Sequence, residues 1–231
     1  MKKILLLFVI ISAVFSACSK SPEQKAEELI QKELKKMLFK PETYQSVSTE
    51  ELSINGQEDN YIIHAGIKEA ESVFKDIKEY KSDVDRKKST LNIWSDPYSY
   101  SYFKNEYNDA KEKYDEAMKK LTEAKEEAKE KVNVILTLLN TKTDLLGHKY
   151  LHNYRANNNM GNTLIGNMVF FVDDKYEKVL YADQMESFSN YAKIINGLTR
   201  KIKPKAQYSD EEIEEAVEYF VENAQPSFSL F

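Results

Sequence analysis

The chain of 231 residues carries 33 basic and 38 acidic residues, a formal charge of −5, with six glycines, five prolines and a single cysteine. A mixed, mildly acidic surface argues against nucleic acid as a partner, because phosphates demand a basic face. One cysteine excludes an intrachain disulfide and a Cys-pair metal site, and scarce Gly and Pro beside abundant Lys and Glu predict a helix-rich protein with few long loops.

Lys2 and Lys3 precede an apolar run from Ile4 to Val14, and Phe15-Ser16-Ala17-Cys18 ends it with small residues before the cysteine. A run this short, with a small-residue cleavage site, reads as an export signal over residues 1–17 rather than a spanning helix. Cysteine after a small residue is the lipobox arrangement of bacterial lipoproteins, although Phe15 stands where Leu is usual. Cys18 is therefore expected to become the first mature residue, carrying diacylglycerol and a palmitate-type acyl chain that ties the protein to a membrane. An ordinary secretory signal with an incidental cysteine is the alternative. Ser19 lacks the Asp that favours inner-membrane retention, which points to the outer membrane, with its periplasmic and surface faces both open. Loss of Lys2 and Lys3 leaves 31 basic against 38 acidic residues, a formal charge of −7.

Ser21-Pro22-Glu23-Gln24 reads as a helix start, with Ser as N-cap and Gln three residues later. Ala26, Leu29, Ile30, Leu34, Met37 and Leu38 share one face, and Pro41 ends the helix near Phe39. Val47, Thr49, Leu52 and Ile54 suggest a strand over 44–54, and Asn55-Gly56 a turn. Tyr61 to Ala65 reads as a brief second strand or as the beginning of the next helix, and the helix is preferred. Ile63, Ile67, Ala70, Phe74, Ile77, Lys81, Val84, Lys88 and Leu91 alternate four and three apart. After a break, Phe103, Tyr107, Ala110, Tyr114, Ala117, Leu121, Ala124, Ala128, Lys131, Ile135 and Leu138 follow the same spacing.

That spacing is a coiled-coil seam, so 61–146 is expected to be an inserted antiparallel helical hairpin. Charge partners four apart include Asp115 with Lys119, Glu116 with Lys120 and Glu127 with Lys131. Lysines in the seam favour a projecting arm about 45 Å long over helices packed flat on the core. Three antiparallel strands follow: His148 to Tyr154, Thr163 to Val172 and Tyr176 to Tyr181. Two helices close the chain, one from Met185 to Leu198 and one capped by Ser209.

The expected fold is α+β. Residues 18–60 and 147–231 form the core domain, and 61–146 the insert. Without the insert, a helix precedes four antiparallel strands, an order like that of the cystatin or nuclear-transport-factor-like (NTF2-like) folds; fold does not give function.

No catalytic constellation emerges. His148 and His152 would lie about 13 Å apart along a strand, too far to share a metal. No Ser has a G-x-S-x-G setting, Asp173 and Asp174 read as turn residues, and no Gly-rich loop opens a helix. No metal or other cofactor is expected. His152, Tyr154, Arg155 and Asn158 form a polar strand end, read either as backbone support or as a ligand-binding patch. Trp94, Tyr98, Tyr100 and Tyr102 crowd the far end of the hairpin, either closing it or forming a partner-binding surface.

Both patches carry a resemblance. Ile93 to Tyr98 with Asn105-Glu106-Tyr107 matches an I-W-S-x-P-Y…N-E-Y hairpin, and His152 to Gly161 an H-x-Y/F-R-A-x-N-x-x-G strand. In these the chain resembles a set of lipoproteins of the Bacteroidota with no assigned activity. The resemblance implies the envelope compartment and the fold, and no catalytic residue. Three readings stand: a non-enzymatic interaction or scaffold protein with an envelope partner, a binder of a small ligand or glycan on the sheet, and an enzyme of unknown class.

Overall fold

A computed structural model describes residues 20–141 and 147–224, and the expected export signal and Cys18 lie outside them. The fold is mixed helix and sheet. In chain order it comprises α1 (Pro22–Met37), β1 (Gln45–Leu52), α2 (Tyr61–Trp94), a short α3 (Pro97–Tyr102), α4 (Lys104–Asn140), β2 (His148–Asn157), β3 (Thr163–Val172), β4 (Val179–Gln184), α5 (Met185–Lys201) and α6 (Asp210–Asn223). The chain divides into two compact units, one of residues 1–53 and 146–185, the other of 54–145 and 186–230.

The α+β unit is α1 against a four-stranded sheet in the order β1-β2-β3-β4, every neighbouring pair antiparallel. α1 starts as its sequence predicts. The Gln24 amide donates to Ser21 Oγ at 3.3 Å and the Ser21 amide to Gln24 Oε1 at 3.0 Å, the reciprocal capping box. Ala26, Ile30 and Leu34 are fully buried against Tyr150, Tyr154, Met168, Phe170 and Val172. The period of two along the strands brings those side chains to one face, and the register sets Tyr150 beside Phe170 and Tyr154 beside Gly166. A Cβ on Gly166 would stand 2.2 Å from Tyr154 Cζ, closer than van der Waals contact allows, so this position favours glycine. β1 is an edge strand, exposed along most of its length and irregular between Ser46 and Ser48.

The strand expected at Tyr176–Tyr181 begins later. Asp173 Oδ1 accepts from the amides of Glu177 and Lys178 at 2.7 and 2.8 Å, which keeps 173–178 in a turn and starts β4 at Val179. Burial pushes the Asp173 carboxyl up, but these amides outweigh it and hold its pKa below the ordinary range.

The helical unit departs from the expected domain boundary. The two C-terminal helices share a core with the hairpin: Ile63, Ile67, Phe74 and Ile77 of α2 and Ala128, Val132, Ile135 and Leu136 of α4 are buried with Tyr191, Ile195 and Leu198 of α5 and Ala216, Val217 and Phe220 of α6. Phe74 and Phe220 stack at 5.1 Å between ring centres. The physical reason lies in the apolar stripes of α5 and α6, whose large side chains need a broad apolar partner, and the near half of the hairpin supplies one. Beyond Tyr80 and Leu121 this shared core stops among the described residues. Among the described residues the far half holds only Val84, Ala110 and Ala117 buried, and Lys81 and Lys88, placed in the seam by their spacing, are exposed.

Charge pairing on α4 follows the four-residue rule, with Glu127 and Lys131 paired as expected and Asp115 and Lys119 turned to other partners. Asp115 binds Lys111 at 2.7 Å, Lys119 binds Glu123 at 3.8 Å, and Glu127 binds Lys131 at 3.9 Å. Such exposed pairs contribute a few tenths of a kcal/mol each.

Candidate functional site

The end of the hairpin is built by a break rather than a simple loop. α2 stops at Trp94, with the Ser95 amide donating to Leu91 O at 2.9 Å, and Pro97 opens α3 at the helix position where proline is favoured. α3 interrupts the turn and distributes its aromatics. Trp94 is half-buried, with its ring 5.6 Å from that of Phe103. Tyr100 sets its ring edge-on to Tyr107 at 5.0 Å. Both contacts close the hairpin end. Tyr102 is 72% exposed, Ile93 65%, Phe103 44% and Tyr100 42%, so the end also presents an apolar surface to solvent. The Tyr98 side chain lies outside the description. Of the four residues singled out from sequence, Trp94 serves closure, Tyr100 both closes the end and is partly exposed, and Tyr102 is mostly exposed. Ile93 and Phe103 join the exposed set. Their signal was present in the same aromatic cluster, but spacing alone does not say which members turn inward.

Beside this end, Lys87, Thr90 and Trp94 of α2 face Glu106, Asp109 and Lys113 of α4 across a groove of about 320 Å³. Asp109 and Lys113 neutralise each other at 2.6 Å, leaving little net charge to select a ligand.

The polar strand end takes a different form. His152 is fully buried, and both its ring nitrogens meet hydroxyls, Tyr44 Oη at Nε2 (2.9 Å) and Thr49 Oγ1 at Nδ1 (2.8 Å). A neutral imidazole donates through one nitrogen and accepts through the other, and a hydroxyl can serve in either role. Burial lowers the His152 pKa, with Glu27 pulling weakly the other way, so the ring is held neutral. Burial also pushes the Tyr154 phenol up to about 12.

Arg155 projects from the opposite face of the sheet and is exposed. Asn158 is consumed by the β2–β3 turn. Its Oδ1 accepts from the amides of Met160 and Asn162, each at 3.0 Å, and Gly161 takes a positive φ of 86°. The four candidate ligand residues therefore do not converge. Tyr44 and Thr49, the partners that occupy His152, were not singled out from sequence, because the bonds join residues over a hundred positions apart. His148 sits at the other end of β2, bonded through Nδ1 to Glu51 at 2.7 Å and stacked on Tyr176 at 4.6 Å.

Asp173 is occupied in its turn and Asp174 is exposed beside it, an arrangement that closes a turn. Among the described residues no three His, Cys, Asp or Glu side chains are grouped so as to hold a metal ion, and no helix is long and apolar enough to cross a membrane. No family model matches the sequence, and no match is found among curated proteins or solved structures.

Proposed function

We propose that this is an envelope-anchored lipoprotein, held by acyl chains on Cys18, that acts without catalysis by offering the end of its helical hairpin to a protein partner in the cell envelope. One observation carries the reading: Ile93, Tyr102 and Phe103 are exposed together at the far end of a hairpin whose outer half lies beyond the core shared with α5 and α6. Exposed aromatics at an isolated end are costly in water and are the residue types that dominate binding hot spots. The outer membrane is the expected site of anchoring. A helix followed by an antiparallel four-stranded meander supports a likeness to cystatin-like or NTF2-like topology, offered as an analogy of form that carries no activity. The ligand or glycan reading is not adopted, because His152 and Tyr154 point to one face of the sheet and Arg155 to the other.

A photo-crosslinking side chain placed at Tyr102 in living cells tests the proposal, with Lys119 on the flank of α4 as control. A discrete adduct at 102, absent at 119 and lost in an Ile93→Ser/Phe103→Ser background, is expected. No adduct at 102, or equal adducts at both positions, rejects the hairpin end as a docking surface.

A further inference from the structure

Where α1 begins decides which end of the α+β unit a lipid on Cys18 would hold to the membrane. Ser21 is the N-cap of α1, three residues after Cys18. Three residues reach at most about 11 Å even when fully extended. The first turn of α1 therefore has to lie within that distance of an acylated Cys18, whatever path the intervening residues take.

The direction of α1 is fixed by its neighbours. Thr43, six residues beyond Met37 at the end of α1, accepts through Oγ1 from the Asn157 amide at 2.8 Å, so the C-terminal end of α1 leads to the Asn157 end of β2 and its first turn lies toward Tyr150. Glu27, in the second turn of α1, accepts from Ser46 Oγ at 3.2 Å. Lys35, in the last turn, holds its ammonium 5.4 Å from the centre of the Tyr44 ring, which is 6.2 Å from the ring of Tyr154. α1 thus runs along β2 from its Tyr150 end toward its Tyr154 end. Its first turn shares an end of the unit with His148, and His148 stacks on Tyr176 of the Asp173–Lys178 turn.

We infer that this end, comprising the first turn of α1, His148 and the Asp173–Lys178 turn, rests against lipid headgroups; the inference depends on the acylation of Cys18 proposed above. The chemistry of the surface suits such a neighbour. Lys20, Lys25, Lys175 and Lys178 are exposed there among Glu23, Asp174 and Glu177. Mixed signs of this kind neither steer the end toward anionic lipid nor repel it, so the acyl chains supply the attraction and the surface tolerates contact. The stacked rings of Tyr176 and His148 have apolar bodies with polar edges, the character that settles at a headgroup interface. The opposite end of the sheet, where Met160 stands 77% exposed, is about 30 Å away along β3.

Acylation of the only native thiol leaves single added cysteines free for labelling. The full lipidated chain is reconstituted in phosphatidylcholine vesicles containing a headgroup-chelated nickel lipid, with a nitroxide at Lys175→Cys or Met160→Cys, both exposed positions. Nickel-induced relaxation is expected to be roughly tenfold or more greater at 175 than at 160, given a separation of about 30 Å, and unchanged when a fifth of the lipid is replaced by phosphatidylglycerol. Equal relaxation at the two positions, or stronger relaxation at 160, in a chain whose N-terminal peptide carries the diacylglyceryl mass, overturns the orientation alone. An N-terminal peptide without that mass overturns the anchoring reading and this inference together.

Discussion

The near and far halves of the helical hairpin follow one spacing and live in different environments. In the near half, Ile63, Ile67, Phe74 and Ile77 meet Ala128, Val132 and Ile135 under α5 and α6, and all are buried. In the far half the same positions are Lys81, Val84 and Lys88 opposite Tyr107, Ala110, Tyr114 and Ala117, and only Val84 and the alanines are buried. The period sets which side chains face the neighbouring helix. Their size and charge set whether a third layer can be added. A seam of Ile and Phe leaves apolar flanks for α5 and α6 to cover, whereas small and charged residues complete a two-helix pair and stop there.

Four outcomes would break or sharpen this contrast. The largest belongs to the near half, where Phe220→Ala removes a fully buried ring stacked on Phe74. It should cost about 3–5 kcal/mol in denaturant unfolding, with m unchanged. A cost below about 1 kcal/mol would show that α6 is not part of the near-half core. Trp94→Ala comes next. Its ring is only half-buried against Phe103, so we expect about 1–2 kcal/mol, seen as faster amide exchange confined to the far half.

A third test contrasts the far half, which contains no histidine, with the α+β unit. Burial holds the His152 pKa below its ordinary 6.5, so the unfolded chain binds the proton more readily than the folded one. The stability due to the neutral ring is complete above about pH 6.5 and declines as pH falls toward the folded value. Amide exchange of β1 and β2 should accelerate over that window beyond the intrinsic rate, and His152→Gln, which retains a donor and an acceptor, should flatten the dependence. The far half of the hairpin should show no such slope. The smallest effect is expected for Tyr102→Ser, within about 0.5 kcal/mol of the parent, because an exposed side chain gives up little on removal. A clear loss of stability there would make Tyr102 part of the closure with Trp94 and Tyr100.

Much of this architecture was readable in the residues. Ser21 and Gln24 announced α1, Ser209 announced α6, and the alternation through Tyr150, His152 and Tyr154 placed β2, because these signals are local and their geometry is complete within a few residues. The domain boundary was not readable. Nothing in the stripe of Tyr191, Ile195 and Leu198 says which apolar surface it will cover, since burial is non-directional. The polar strand end shows the same limit at a smaller scale. Its sequence displays His152, Tyr154 and Arg155 side by side, but the period of two sends Arg155 away from the others, and the groups that occupy His152 arrive from β1 and the residue preceding it. Asp173 was readable as a turn residue, while the length of its turn was not, because two amide bonds from Glu177 and Lys178 extend it to Val179.

Gln57 Nε2 donates to Thr141 O at 3.2 Å, joining the two feet of the hairpin. This contact bears on how the sheet assembles in time. β1 and β2 are partners separated by the whole of α2, α3 and α4, and closing so long a loop unaided is entropically slow. Helices form and pair faster than distant strands. Once α2 and α4 have zipped together, the connection between β1 and β2 is shortened from some ninety residues to about ten, lowering the closure cost by about 2 kcal/mol. The hairpin is then a folding device, and lengthening either foot with a flexible insert should slow the formation of β-structure while leaving its final register unchanged.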